Sequence, residues 1–266
     1  MMQFNAPIGV MDSGMGGLSV VLALQQLLPH EDIIYYGDTA NCPYGNKSAE
    51  ELLLLSGNML SFLESKGVKC VALACNTTSA LADALRPHYN MPIITVAECA
   101  ADAIGRMGLS SVGLIATVST VNGGIYERRI HAVDPKVSVY SQGSVHLARL
   151  VEENHAESDA VDAEIQACMT SLFAKGDMHH VILGCTHYPL VIDRFQSAYP
   201  EINFLDPAPY QAASVESFLR QQSALNVPHK PKLTIYTTGE TGSFAEVCAA
   251  NRLSQHYETQ ILHIDS

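Results

Sequence analysis

The chain has no tryptophan, only 15 lysines and arginines among 266 residues, and no Cys-x-x-Cys pair. Each shortage excludes something. Against 27 aspartates and glutamates the formal charge is −12. No basic run forms the positive face that nucleic acid or an anionic membrane surface requires, so neither partner is expected. No apolar run approaches the roughly 18 residues of a membrane span. The segment Met1–Pro7 lacks the charged start and long apolar stretch of a secretory signal. A cytoplasmic location is therefore expected, where thiols stay reduced. Seven cysteines are an odd number, and their spacings do not suit a zinc site; no metal and no cofactor are expected.

What is present points to a packed globular protein, with 47% apolar residues. The length fits one large domain or two small ones. Short, almost wholly apolar runs alternate with segments of helical period. Ile8–Met11, Ile33–Tyr36, Cys70–Ala74 and Ile93–Val96 read as strands. Such runs suit a parallel sheet covered on both faces. Between them, Gly17–Leu28, Ser48–Lys66, Thr77–His88 and Ala97–Met107 read as helices, the second opening with a Ser48…Glu51 capping box and closing at Gly67.

The second half repeats the alternation. Val112–Ala116, Val137–Tyr140, Val181–Gly184 and Asn203–Leu205 read as strands; Thr120–Val133, Val145–Lys175 (as two helices) and Pro189–Tyr199 read as helical. A last unit runs Leu233–Thr237, Ser243–Asn251, Gln260–Ile264, after a Pro-containing linker, Gln221–Pro231. The expected class is α/β with mostly parallel sheets.

A weak internal repeat supports two lobes. Val71-Ala-Leu-Ala-Cys75-Asn-Thr-Thr resembles Val181-Ile-Leu-Gly-Cys185-Thr-His-Tyr. At nearly equal spacing each cysteine is followed by a helix and then a strand ending in a carboxylate, Glu98 or Asp206. Cys75 and Cys185 each stand at a strand's end before a helix N-terminus. Unpaired N–H groups and the helix dipole there lower a thiol's pKa from about 8.5. A thiolate so placed is a nucleophile or a base; the alternative is a small buried hydrophobe. A nucleophile needs one thiol and a redox pair needs two close together. Inverting a stereocentre without a cofactor needs two acid/base groups on opposite faces of one carbon, which two facing lobes supply.

Other segments border those thiols. Asp12-Ser13-Gly14-Met-Gly16-Gly17 follows the first strand, and its glycines permit close backbone approach to a ligand. Asp12 is a candidate to orient a cysteine, bind an ammonium group or cap the helix. His187 is a candidate proton relay and Glu152 a candidate to hold its tautomer. Pro43-Tyr44-Gly45, after Asp38 and Thr39, reads as a turn whose N–H groups grip a carboxylate. Thr117, Ser119 and Thr120 offer hydroxyls. Cys42, Cys70, Cys99, Cys168 and Cys248 read as core or surface thiols.

Together these segments resemble the glutamate racemases of the cofactor-independent aspartate/glutamate racemase superfamily. The resemblance rests on Ile8-Gly-Val-Met-Asp12-Ser13-Gly-Met-Gly-Gly-Leu18, Gly37-Asp-Thr39, Pro43-Tyr44-Gly45, Ala74-Cys75-Asn76-Thr77, Thr117-Val-Ser-Thr120 with Gly124 and Tyr126, Leu150-Val-Glu152-Glu153 and Leu183-Gly-Cys185-Thr186-His187-Tyr-Pro-Leu190. It runs from about residue 8 to about 220, with Thr237-Thr-Gly239 and Phe244 also familiar. It implies two similar α/β lobes related by a pseudo-twofold with the active site in the cleft between them: a discontinuous first lobe, 1–97 with 208–266, and a second lobe, 98–207. It implies Cys75 and Cys185 as the acid/base thiols, Asp12 assisting the first, His187 with Glu152 assisting the second. Ser13, Pro43, Tyr44, Gly45, Asn76, Thr77, Thr117, Thr120 and Thr186 would hold a small amino-acid substrate, in a homodimer. The implied activity is interconversion of L- and D-glutamate, supplying D-glutamate for peptidoglycan. Aspartate or a broader set of amino acids is the alternative substrate, and a non-catalytic carboxylate-binding protein a remote one. Ser119 stands where alanine is usual, and Asn41-Cys42 lacks an arginine often found before the Pro-Tyr-Gly turn. With seven residues before the first strand, no extension of the kind some relatives use for precursor activation is expected.

Overall fold

The computed structural model describes residues 5–153, 158–250, 253 and 255–265. Among the described residues ten strands run β1 (Ile8–Asp12), β2 (Ile33–Gly37), β3 (Cys70–Leu73), β4 (Ile93–Thr95), β5 (Ser111–Thr117), β6 (Ser138–Ser144), β7 (His180–Gly184), β8 (Asn203–Leu205), β9 (Lys232–Thr237) and β10 (Glu258–His263). They form two sheets, ordered β10-β9-β2-β1-β3-β4 and β6-β5-β7-β8. Every strand pair is parallel. The inner order second-first-third-fourth recurs in both sheets, so the expected two α/β lobes are present.

Parallel sheets bury both faces, and the side chains divide accordingly. Ile8, Val10, Cys70 and Ala72 pack into one core of the first lobe, while Met11, Val71 and Leu73 pack into the other. In the second lobe Val181 and Leu183 face one core, Leu114 and Ile182 the other. The edge strands β6 and β10 are the polar, half-exposed ones.

Several helices match the sequence closely. The Ser48–Glu51 capping box is formed at the head of helix Ala49–Ser65, and Gly67 follows its end with φ +70°. Others break where the sequence suggests continuity. The expected helix Thr77–His88 is divided into Asn76–Ser79, Ala82–Leu85 and a 3₁₀ turn at Arg86–His88. Thr78 and Ser79 hydroxyls bond back to the Cys75 carbonyl, competing with the backbone ladder, and Pro87 has no N–H to donate. Thr120–Val133 is interrupted at Gly124, φ +60°. Val145–Lys175 is indeed two helices, Leu147–Glu152 and Asp159–Phe173. Helix Ala208–Gln221, unassigned from sequence, returns the chain to the first lobe. From it Gln211 donates to the carbonyls of Leu73 (3.0 Å) and Ile94 (2.8 Å), bridging the ends of β3 and β4. Among the described residues no helix is long and apolar enough to cross a membrane.

Candidate active site

In an open α/β sheet, ligands bind beyond the carboxyl ends of strands where the order reverses. Each lobe has one such point, between β1 and β3 and between β5 and β7. Asp12 ends β1 and Cys75 follows β3; Thr117 ends β5 and Cys185 follows β7. A small cavity of about 20 Å³ lies there, lined from the first lobe by Ser13, Cys42, Pro43, Tyr44, Gly45, Cys75, Asn76 and Thr77. Thr117, Ala148, Cys185, Thr186 and His187 line it from the second. Asp12, Thr120 and Glu152 are not among the lining residues; each stands behind one that is.

The two thiols have different surroundings. Cys75 is buried, and its Sγ lies 3.7 Å from the Ser13 hydroxyl. Burial pushes this thiol up, and the Asp12 carboxylate adds to the effect. The lowered thiol expected at a helix N-terminus is therefore corrected for Cys75. The helix that follows has only four residues, too short to outweigh desolvation. Cys185 Sγ lies 3.6 Å from His187 Nδ1, and His187 Nε2 is bonded to Glu152. Burial alone would depress His187, but the Glu152 carboxylate and the hydrogen bonds to Cys185 and Glu152 raise it well above its ordinary value. Burial likewise opposes ionisation of Glu152, yet the His187 charge and bond, with a bond from the Met15 N–H, hold it below the usual range. The pair is thus imidazolium and carboxylate, with an acid beside Cys185.

Asp12 has no solvent exposure, and burial raises its carboxyl despite the nearby His187 charge. It accepts the N–H groups of Gly14 (3.2 Å) and Gly17 (3.0 Å) and the Thr186 hydroxyl (3.2 Å). Asp12 thus joins the lobes as well as shaping its own loop. Further bonds cross the cleft: Tyr126 OH donates to Asn76 Oδ1 at 2.7 Å, and the Thr77 and Thr117 hydroxyls lie 3.0 Å apart. Thr120 braces Thr117 from behind, its hydroxyl 2.9 Å away. Among the described residues no lysine or arginine lines the cavity, which leaves hydroxyls, the Asn76 amide, His187 and backbone N–H groups as its donors.

Tyr44 contributes less than its side chain suggests. Its hydroxyl donates to Asp38 at 2.5 Å, so its backbone is what remains for a ligand. Asp38 also accepts from Asn41 and from the Thr238 hydroxyl (2.8 Å), while Thr39 meets Thr237 at 2.9 Å. The late Thr237-Thr-Gly239 motif thereby holds the loop that carries Pro43-Tyr44-Gly45. Two lining residues were not marked by sequence as parts of the site. Ala148 carries no chemical signal. Cys42, read as a bystander thiol, is corrected: it faces the cavity, and its place beside Pro43-Tyr44-Gly45 was the available clue. Glu98, read as a strand-end carboxylate, instead lies in the first turn of helix Val96–Gly105, bonded to Arg86 and Thr95.

Close approach of the lobes depends on missing side chains. A Cβ on Gly14 would lie 2.7 Å from Glu152, and one on Gly16 would lie 2.6 Å from the Thr186 hydroxyl and 2.7 Å from its backbone carbon. Backbone cannot swing aside, so Gly16→Ala should force the lobes apart. We expect a fall in kcat/KM of about tenfold or more, as overpacking costs about 1–3 kcal/mol. Steady-state kinetics, with circular dichroism to confirm folding, checks this; an unchanged kcat/KM contradicts it. A smaller effect is expected at Ser119, whose hydroxyl donates across the cleft to Gly45 at 2.6 Å. Ser119→Ala removes one bond worth about 1 kcal/mol, so KM should rise about fivefold. Initial rates over a range of substrate concentrations read it.

Two parallel-sheet lobes that each bring a thiol to one shared cleft define the class of α/β architecture to which the chain belongs. Comparison with known proteins agrees. The family model for Asp/Glu/Hydantoin racemase matches residues 8–215, and the chain belongs to this family. It is 33% identical over 262 residues to glutamate racemase 2 of Caldanaerobacter subterraneus subsp. tengcongensis, covering 97% of this chain and 98% of that one. Crystal structures of a glutamate racemase isoform from Bacillus anthracis (TM-score 0.90, 30% identity, 99% and 98% of the two chains) and of glutamate racemase from Francisella tularensis in complex with D-glutamate (TM-score 0.88, 31%, 98% of each) are similar throughout.

Proposed function

We propose that this protein interconverts L- and D-glutamate by a two-thiol mechanism without a cofactor. The observation that carries the reading is the pair Cys75 and Cys185, set at equivalent strand ends of two lobes on one cavity. The names of the similar proteins above support glutamate as substrate.

With the substrate Cα between the lobes, the thiolate on one side takes the α-proton and becomes a thiol. The thiol on the other side gives its proton to the opposite face and becomes the thiolate. The reverse reaction exchanges the roles. Ser13 bonds to Cys75, and His187, charged by Glu152, bonds to Cys185, so each thiol has its own partner. Asp12, behind the Gly14–Gly17 loop, tunes Cys75 by its charge and holds Thr186. The substrate carboxylates are held by hydroxyls of Thr77 and Thr117, by Ser13 and Asn76, and by the backbone of Thr186 and of Pro43-Tyr44-Gly45. The working lobes are 1–97 with 208–266, and 98–207. The cytoplasm is the proposed location, a homodimer the working form, and D-glutamate for peptidoglycan the physiological product.

Each enantiomer of glutamate and of aspartate, offered separately in D2O, tests this. Optical rotation should decay to zero with glutamate as deuterium enters at Cα. Exchange with aspartate but not glutamate would overturn the substrate, and no exchange with any amino acid would overturn the racemase reading.

A further inference from the structure

Cys42 has no place in that mechanism, yet it stands at the cleft beside two residues that do. Its Sγ, a carboxylate oxygen of Glu152 and a ring nitrogen of His187 all lie within 4.8 Å of one another. His187 is buried and the other two are half-buried. The trio is assembled from both lobes. Cys42 sits in the loop tied down by Asp38 and Thr238, Glu152 ends helix Leu147–Glu152, and His187 follows β7. Thiolate, imidazole and carboxylate together are the donor set zinc takes. Zinc–donor bonds of about 2.0–2.3 Å set neighbouring tetrahedral donors roughly 3.5 Å apart, so the trio needs side-chain shifts of about 1 Å.

We propose that Cys42, Glu152 and His187 form a site for a thiophilic divalent cation of the zinc class, which inhibits the protein reversibly. Three protein ligands leave one position of a tetrahedral ion open to water. On binding, the Cys42 thiol and the His187–Glu152 pair each release a proton to solvent; no electron moves. The ion takes His187 and Glu152 out of their mutual bond, removing the acid beside Cys185, and fastens the two lobes together. The loss of activity rests on the racemase reading above; the binding itself does not.

The test uses the full chain and its Cys42→Ser variant, nearly the same shape, each compared with its own metal-free rate. Racemisation is followed against Zn2+ concentration, and metal binding separately by the thiolate-to-metal absorption of added Co2+. Wild type should lose activity at micromolar Zn2+ and recover with EDTA. Cys42→Ser should need at least about tenfold more Zn2+, since even outer-sphere partners are worth 10–100-fold in metal affinity, and its Co2+ thiolate band should weaken. Equal Zn2+ sensitivity with an unchanged band would overturn the proposal and place the metal on Cys75 or Cys185. No Zn2+ effect and no band in wild type would also overturn it. Were the chain inactive on every amino acid, the Co2+ band would still report the site, so the two failures are distinguishable.

Discussion

Replacing either Cys75 or Cys185 by serine should lower racemisation about a thousandfold or more in both directions. A positioned general acid or base contributes about 10²–10⁴-fold, and a hydroxyl is a far poorer base than a thiolate near neutral pH. Both directions must fall together, because the equilibrium between the enantiomers is fixed. Each thiol is the acid for one enantiomer and the base for the other, so no variant spares one direction. The surviving thiol still faces one side of Cα. Slow deuterium uptake from D2O without inversion is therefore expected in one enantiomer, and in opposite enantiomers for the two variants. Polarimetry and proton NMR at Cα read both quantities. Either serine variant with full activity refutes the two-thiol assignment. Ser13, bonded to Cys75, and His187, bonded to Cys185, should shift the rate less, because they act through the thiols.

The second large effect is expected at Glu152. Its carboxylate is paired with His187, whose side chain is 3% exposed. Removing one member of a buried ion pair costs about 3–5 kcal/mol, because the other charge is left without a partner. Glu152→Gln should fall near the lower end, since His187 can then shed its proton. The pH dependence follows from the directions of the two shifts. His187 is raised above its ordinary 6.5, so its contribution is full below 6.5 and is lost as pH rises through the raised value. Glu152 is lowered below its ordinary 4.5, so its contribution is full above 4.5 and is lost as pH falls through the lowered value. The pair therefore stabilises most between pH 4.5 and 6.5. Chemical unfolding of wild type and Glu152→Gln across pH, with EDTA present, should show the largest difference inside that window. A difference independent of pH would sink the ion-pair reading. Loss of the imidazolium should also reduce kcat, as Cys185 loses its acid partner.

Much of this site was legible before the chain was folded. Cys75 and Cys185 could be picked out because each ends an apolar run and precedes hydroxyl-bearing residues, a local pattern that tertiary contacts do not alter. The strands were legible for the same reason: a parallel strand buried on both faces has to be apolar throughout. Helix Ala49–Ser65 was bounded by side chains three residues apart. The short helices after Cys75 were not, because the same Thr78 and Ser79 hydroxyls that signal a helix start also bond back to the Cys75 carbonyl. Helix Ala208–Gln221 was missed because its buried face includes alanines and Gln211, which carry little hydrophobic signal.

Other features exist only in the assembled molecule. Cys42 sits far in sequence from Glu152 and His187, and no spacing rule joins a first-lobe loop to a second-lobe helix. The Tyr44 hydroxyl is turned onto Asp38. Thr120 and Asp12 stand behind the cavity instead of on it. The state of the Cys75 thiol reversed between sequence and structure. The shortage of basic residues belongs to both levels. The sequence by itself determined that few cations exist to hold an acidic substrate, along with two thiols at matched strand ends and an alternating α/β chain. Only the tertiary structure decided that no lysine or arginine lines the cavity and which charges face each thiol. The reason is physical: pattern follows covalent neighbours and secondary-structure period, whereas desolvation and ion pairing depend on what distant segments place within a few ångströms.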